Sequence, residues 1–212
     1  MKYNSGSPYF FKDDIKYILN ETKKILSGNG SLRMGRHVKR FEKQFAKYIK
    51  TNTAISTTSC TTALETIFNA IDLKENDEVI IPCQTYAASA STILRFNAIP
   101  IVCEIDEDYN LDYNDAIKKI NNRTKAVVIV HFCGKISDDI FLFKKYTKLK
   151  NIFLIEDAAH ALGASYNGYK AGNFGDAAAF SFYSTKMITT GEGGMITTNN
   201  HEIAKKCLKF RS

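Results

Sequence analysis

The residue whose setting most strongly suggests chemistry is Lys186, which lies among hydroxyl and apolar side chains and is followed by the glycine-rich segment 191–194. A lysine in an apolar setting loses part of its preference for the charged form, because desolvation disfavours the ammonium. A neutral amine can attack a carbonyl and form an imine. Most lysines are solvated surface residues, but Lys186 lies between two predicted strands, 177–182 and 194–198, and this position favours a functional site.

Two further groups of polar residues follow predicted strands. Glu156 and Asp157 come directly after the apolar strand 152–155, and their side chains should point in opposite directions, which allows one a structural and the other a functional role. A helix N-cap is the alternative for this pair. Residues 57–63 form a hydroxyl-rich start to a helix, where backbone N–H groups and hydroxyls can bind a phosphate, with an ordinary helix cap as the alternative.

These three loops together fit one cofactor, pyridoxal 5′-phosphate. It needs a lysine for its aldehyde, an Asp for its ring nitrogen and hydrogen-bond donors for its phosphate. In an open α/β sheet such loops converge, because ligands bind at the carboxyl ends of the strands. The Asp carboxylate would keep the pyridine nitrogen protonated, so that the ring can stabilise a carbanion at the substrate carbon.

At these residues the sequence resembles the DegT/DnrJ/EryC1/StrS sugar aminotransferases, which are fold type I pyridoxal-phosphate enzymes. The resemblance extends from Gly6 to the last residue of the chain. Its motifs, in chain order, are residues 41–42, 59–64, 77–82, 130–131, 156–164 and 180–194. Several motifs in matching order make the resemblance specific.

The resemblance implies a role for each residue that would contact the cofactor's ring. Lys186 would bind the cofactor and later act as the general base for the proton shift. Asp157 would pair with the pyridine nitrogen. His160 stands where many members have Gln and would lie near the 3-hydroxyl, with a half-buried, space-filling histidine as the alternative. Tyr86 would stack on the ring, with an ordinary core tyrosine as the alternative.

The phosphate would be bound by the start of the helix after residue 59. By resemblance, Ser181 and Thr61 would hold it, with help from the backbone N–H groups of Cys60 and Thr61. Cys60 replaces the usual small Gly or Ala; a backbone contact could survive this change, but the larger side chain makes the fit in the loop tighter. No metal is expected in the site.

The resemblance also implies the reaction. The dehydratase branch of the family has His in place of the reactive lysine, so Lys186 favours amino transfer over dehydration. An amino acid, expected to be glutamate, would supply the amino group to a nucleotide-linked keto-sugar for aminosugar or surface polysaccharide biosynthesis. Arg33 and Arg36, in a loop where members line the substrate entrance, are candidates for binding its pyrophosphate. A homodimer is expected in the full-length form.

Composition argues against a disordered, membrane-spanning or secreted protein. Hydrophobic residues make up 44% and charged residues 24% of the chain, which is typical of a folded globular protein rather than a disordered one. The sequence has no apolar run long enough to span a membrane and no secretory signal, so no membrane partner is expected. Its cysteines are five in number, scattered and without a C-x-x-C pair, which indicates reduced thiols and a cytoplasmic protein.

The net charge of +7 raises nucleic-acid binding as an alternative function. The paired lysines lie within amphipathic patterns rather than in one dense block, which favours solvated helix faces over a nucleic-acid patch. The same charge suits a substrate that carries a diphosphate. No nucleic-acid partner is therefore expected.

The elements that must position these residues alternate along the chain. Strands are predicted at 53–56, 78–81, 100–103, 126–130, 152–155, 177–182 and 194–198, and helices at 13–26, 38–49, 61–71, 86–96, 114–120, 138–149 and 201–210. This alternation predicts an α/β fold with a mainly parallel seven-stranded sheet and helices on both faces. The last two strands lack a helix between them, and a hairpin is expected there.

The fold implied by the resemblance is the large domain of a fold type I pyridoxal-phosphate transferase. Residues 1–212 would form an N-terminal arm and most of that domain, as one unit that lacks the small C-terminal domain. Two functions remain open for such a chain. One is a sugar aminotransferase, and the other is a catalytically inactive fragment that keeps the fold for sugar binding or regulation.

Overall fold

The structure, a computed structural model, describes residues 8–211 of the chain. Gly6 and Ser7, where the family resemblance begins, and the last residue, Ser212, lie outside the described part. The helices are α1 Lys12–Leu26, α2 Arg36–Ile49, α3 Cys60–Ala70, α4 Ala87–Leu94, α5 Tyr113–Lys119, α6 Ile140–Lys150 and α7 His201–Arg211. The strands are β1 Thr53–Thr57, β2 Glu78–Pro82, β3 Ile99–Cys103, β4 Thr124–Val130, β5 Phe153–Asp157, β6 Ser165–Tyr166, β7 Tyr169–Lys170, β8 Ala177–Ser181 and β9 Gly194–Thr198.

Seven strands form one sheet in the order β1-β9-β8-β5-β4-β2-β3. The pairings from β8 to β3 are all parallel, whereas β9 runs antiparallel to both of its neighbours, β1 and β8. A parallel return from β8 would need a long crossover, usually a helix, and the segment between β8 and β9 has none. The mainly parallel seven-stranded sheet and its terminal hairpin are therefore confirmed.

Helices cover both faces of this sheet, as predicted. On one face α2, α5 and α6 pack side chains such as Phe45 and Phe143 into a core with Ile129 of β4. On the other face α3, α4 and α7 form a second core, in which Leu64 and Val128 are fully buried. Because the inner strands are buried on both sides, their sequences are continuously apolar rather than alternating.

Strand β5 extends further than the predicted strand 152–155. Glu156 and Asp157 continue its parallel pairing with β4, opposite Ile129 and Val130. The two carboxylates thus belong to the strand itself rather than to the loop after it. Their opposite orientations are therefore fixed by the sheet.

The small hairpin β6–β7 is not predicted by the strand pattern. Its turn residues, Asn167 and Gly168, both have positive φ, as a type I′ hairpin turn requires. The Asn-Gly pair was a usable signal, but strands of two residues are too short to show alternation.

Helix α1 lies apart from both cores. It has no buried residue, and its apolar side chains Ile15, Ile18 and Leu19 are exposed. An ion pair of 2.5 Å between Glu21 and Arg36 links it to α2. Across residues 8–211, none of the helices combines the length and apolar character needed to cross a bilayer.

Candidate active site

One pocket, with a volume of about 460 Å³, opens where β4, β5 and β8 end. This is the edge at which parallel α/β sheets bind ligands. Its walls include all seven candidate residues from the sequence: Cys60, Thr61, Tyr86, Asp157, His160, Ser181 and Lys186. The sheet thus brings together residues from four separate segments of the chain.

Asp157, the last residue of β5, supplies the carboxylate of the pocket. Its side chain is 5% exposed, and both of its oxygens accept hydrogen bonds. Oδ2 accepts one from the hydroxyl of Ser89 at 3.2 Å. Oδ1 accepts one from the backbone N–H of Ala159 at 3.1 Å and faces the sulfur of Cys60 at 3.8 Å. A carboxylate that is largely excluded from solvent and accepts hydrogen bonds on both oxygens is suited to hold a single cationic N–H of a ligand.

Glu156, the preceding residue, points to the opposite side and has a structural role. Its carboxylate accepts hydrogen bonds from the backbone N–H groups of Gly172, Phe174 and Gly175, each at 2.7 Å, and lies 2.9 Å from Nε2 of His131. Glutamate and histidine are both fully buried. Glu156 therefore ties the loop before β8 to β5, and the division of roles expected for the two carboxylates agrees with their contacts.

The N-terminus of α3 forms a donor cradle at one side of the pocket. Ser59 caps the helix in a reciprocal capping box with Thr62, which fixes the first turn. The backbone N–H groups of Cys60 and Thr61, at the first two helical positions, have no acceptor among residues 8–211. These amides and the hydroxyls of Thr61 and Ser181 form the set of donors that a phosphate requires.

Lys186 lies half-buried in the loop that joins β8 to β9. Its backbone N–H donates to the carbonyl of Tyr183 at 3.0 Å, so the lysine lies in a tight turn. At the base of the loop, the N–H of Phe182 donates to the carbonyl of Gly193, and the N–H of Thr190 donates to the carbonyl of Phe182. The loop is therefore clamped at its base while the lysine faces the pocket.

The glycines after Lys186 allow this loop to approach α3. A Cβ atom at Gly194 would overlap the carbonyl oxygen of Ser59 and crowd the hydroxyl of Thr57. Gly191 has a φ of +81°, a conformation that favours glycine. The glycine run thus places the lysine loop and the phosphate cradle side by side.

Tyr86 and His160 both lie at the mouth of the pocket. Tyr86 is 78% exposed, so the alternative of a core tyrosine is wrong. His160 is also exposed, so it is not a half-buried, space-filling residue. Partial desolvation by the pocket walls, and then the nearby charge of Lys186, lower the pKa of His160, which favours a neutral imidazole near neutral pH.

Cys60 fits the loop without disturbing the helix cap, and its side chain turns inward. Burial, and then the charge of Asp157, raise the pKa of its thiol well above the ordinary value. The sulfur therefore stays protonated and directs its S–H toward Asp157. The capping box of Ser59 is intact beside this residue, so the start of α3 keeps regular cap geometry.

Two polar residues of the site, Ser89 and Thr85, carry no role in the sequence prediction. Ser89 is fully buried on α4, and its hydroxyl lies between Asp157 and the hydroxyl of Thr85, which is 2.7 Å away. Their spacing of four residues at the start of a helix places them on one face, but only the tertiary structure shows that this face meets Asp157.

The candidate pyrophosphate residues lie outside this pocket. Arg36 begins α2 and pairs with Glu21 of α1, and neither Arg33 nor Arg36 is among the residues that line the cavity. The pKa of Glu21 is lowered to about 2, first by the hydrogen bond from Lys24 and also by the one from Arg36. Within residues 8–211, Arg36 therefore serves to connect α1 with α2.

The residues of the pocket fit pyridoxal 5′-phosphate. The amides at the start of α3, which lack acceptors within the described chain, suit the phosphate. The buried carboxylate of Asp157 suits a protonated ring nitrogen, and the amine of Lys186 suits the aldehyde. The volume is also within the range of small-molecule sites.

Comparison with known proteins agrees with this geometry. The model of the DegT/DnrJ/EryC1/StrS aminotransferase family matches residues 12–212. The chain is 40% identical over 179 residues to GDP-perosamine synthase of Vibrio cholerae, a match that covers 84% of this chain and 48% of the relative. It is 39% identical over 206 residues to the spore coat polysaccharide biosynthesis protein SpsC of Bacillus subtilis, which covers 97% of this chain and 52% of the relative. The chain thus spans about half the length of the curated relatives it matches.

A solved structure gives the same result for the fold and the cofactor. The chain is similar to NtdA of Bacillus subtilis with its bound cofactor PMP, with a TM-score of 0.85 at 28% identity. That match covers 99% of this chain and 48% of NtdA. Together these similarities confirm the expected fold class and the expected cofactor, pyridoxal 5′-phosphate.

Proposed function

The chain belongs to the DegT/DnrJ/EryC1/StrS aminotransferase family, and on that premise we propose that the protein transfers an amino group from an amino acid to a nucleotide-linked keto-sugar. The observation that carries this proposal is the pocket in which Lys186, Asp157 and the start of α3 meet. Glutamate is the proposed donor. The product would be an aminosugar for a polysaccharide, which the names of the two curated relatives support.

Groups of this chain would bind both the phosphate and the ring nitrogen of the cofactor. The amides of Cys60 and Thr61 and the hydroxyls of Thr61 and Ser181 would bind the phosphate. Asp157 would hold the proton on the ring nitrogen through one of its carboxylate oxygens. When bound, the protonated ring supplies a sink for the electron pair left on the substrate carbon.

The remaining residues would orient the ring and move the proton. Tyr86 would pack against one face of the ring, and His160 would contact its 3-hydroxyl through a neutral nitrogen. Lys186 would bind the aldehyde carbon until the amino group of the donor displaces it, and the released Nζ would then take the proton from the α-carbon of the donor. Because this position holds lysine rather than histidine, we propose amino transfer and not dehydration.

Three further proposals concern the whole protein. Residues 1–212 would form the N-terminal arm and most of the large domain of an enzyme about twice as long, as its relatives are. The active unit would be a cytoplasmic homodimer with the pocket near the subunit interface. Exposed apolar side chains at or beside the pocket, Tyr86, Met187 and Ile188, support such a contact.

The test is to add pyridoxal 5′-phosphate to the protein and record the visible absorbance. We expect an absorption band that disappears in Lys186→Ala, and borohydride treatment should label Lys186 as found by peptide mass spectrometry. Lys145→Ala, a change at an exposed lysine on α6, is the matched control and should keep the band. Glutamate should then remove the band, and a nucleotide-linked keto-sugar should restore it.

The outcomes separate the candidate functions. A folded protein that gives no band, or one labelled equally at several lysines, would contradict the cofactor site. Cofactor and sugar binding without amino transfer would instead identify a catalytically inactive fragment.

A further inference from the structure

A chain of hydroxyl groups leads from the surface turn before α4 to the carboxylate of Asp157. The hydroxyl of Thr85 lies 2.7 Å from that of Ser89, which in turn lies 3.2 Å from Oδ2 of Asp157. Ser89 is fully buried, with an exposure of 0%. A hydroxyl in such a place has to be hydrogen-bonded, because leaving it unpaired is costly.

The hydrogen bonds that join Thr85, Ser89 and Asp157 have defined directions. An ionised carboxylate only accepts hydrogen bonds, so the single proton of Ser89 points to Asp157. The lone pairs of Ser89 can then accept the proton of Thr85. Both hydroxyls are satisfied in this arrangement, which fixes their rotamers.

The other oxygen of Asp157 is held from the opposite side. The backbone N–H of Ala159 donates to Oδ1 at 3.1 Å, and the sulfur of Cys60 lies 3.8 Å from it. Burial raises the pKa of this thiol, so Cys60 can act as a weak S–H donor. With partners on both oxygens, the plane of the carboxylate cannot rotate freely.

We propose that Ser89 and Thr85 are positioning residues, which set the orientation of the Asp157 carboxylate toward the ring nitrogen of the cofactor. This inference rests on the proposed function, because it takes Asp157 as the partner of that nitrogen. Thr85 also directly precedes Tyr86, whose ring lines the same pocket. The turn before α4 therefore couples the orientation of the carboxylate to the position of the aromatic ring.

The experiment compares the wild-type protein with Ser89→Ala, Ser89→Thr and Thr85→Val. Ser91→Ala, at an exposed serine on the same helix, is the matched control. The dissociation constant for pyridoxal 5′-phosphate is measured by titration. In parallel, the NMR shift of cofactor labelled with ¹⁵N in the ring reports whether the ring nitrogen is protonated.

We expect Ser89→Ala to raise the dissociation constant roughly tenfold and to move the ring ¹⁵N signal toward the unprotonated value, since a hydrogen bond to a charged group is lost. Thr85→Val should produce a smaller change in the same direction. Ser89→Thr keeps the hydroxyl and should restore both readouts, and Ser91→Ala should change neither. Circular dichroism confirms that each variant is folded.

Two different results would overturn the inference. If Ser89→Ala and Thr85→Val melt at lower temperature but bind the cofactor with a wild-type ¹⁵N shift, the two hydroxyls only stabilise the helix. The proposed function would then stand. If the wild-type protein itself gives no ring signal, the proposed function fails and the positioning role fails with it.

Discussion

Glu156 and Asp157 show how neighbouring residues of the same chemical type acquire different roles. The strand directs one carboxylate to a loop that it holds by three backbone N–H groups, and the other to an open pocket. Removing the charge of Glu156 leaves buried donors without acceptors. Removing the charge of Asp157 leaves an amide that can still pair with Ser89 and Ala159.

This contrast gives a prediction for two matched substitutions. Glu156→Gln should lower the free energy of unfolding by about 3 kcal/mol or more, because charge-assisted bonds to buried amides are lost. Asp157→Asn should cost only about 1 kcal/mol in stability but should weaken the binding of pyridoxal 5′-phosphate at least tenfold. Urea unfolding and cofactor titration measure the two effects. The reverse pattern would contradict the assigned roles.

The family motifs in the sequence led to seven candidate residues for the site. All seven candidate residues line one pocket, although their individual contacts with the cofactor stay predictions. Ser89 could not be found in this way, because its importance depends on a contact with Asp157 across 68 positions of the chain. The orientation of the Cys60 sulfur toward Asp157 likewise depends on a tertiary contact and could not be predicted from the sequence.

At the scale of elements, the hairpin β8–β9 and helix α3 form one unit. Gly194 begins β9 and lies against the carbonyl of Ser59, the residue that caps α3. The loop with Lys186 and the donor cradle of α3 are therefore positioned by the same contact. A side chain at this glycine would move one part of the site away from the other.

We predict that Gly194→Ala destabilises the protein by about 1–3 kcal/mol and also weakens cofactor binding, because the added methyl group forces β9 away from α3. Gly168→Ala is the control. It places alanine at a φ of +83° in the β6–β7 turn, with no atom within 4 Å of the new Cβ. That change should cost about 1–2 kcal/mol in stability and leave binding unchanged. Equal loss of binding in both variants would show that general destabilisation is the cause.

The elements themselves were largely predictable, because strands buried on both faces give short apolar runs that differ clearly from amphipathic helices. The hairpin β8–β9 followed from the absence of a helix in the connecting segment. Strand order did not follow, since local periodicity carries no information about which strands pair. The position of β9 between β1 and β8 could therefore not be predicted from the sequence.

At the scale of the whole molecule, the two cores account for the described elements except α1. This helix buries none of its residues and keeps Ile15, Ile18 and Leu19 in contact with solvent. Its amphipathic sequence predicted the helix correctly but could not show what covers its apolar face. This chain spans about half of the length of the two curated relatives.

The interior position of β9 has a consequence for how the chain is made. Among residues 8–211, β1 pairs with no strand other than β9, from Thr53 opposite Thr198 to Thr57 opposite Gly194. During synthesis β1 emerges before five other strands of the same sheet, β2, β3, β4, β5 and β8, whereas its partner β9 emerges after them, so β1 stays unpaired while those strands are made. In hydrogen exchange, the amides of β1 should be protected in chains that extend past Thr198 and unprotected in chains that end at Gly193. Protection in the shorter chain would mean that β1 folds independently. If β1 is unprotected in the shorter chain, the donor cradle that follows β1 is anchored only after the lysine loop and β9 have been translated.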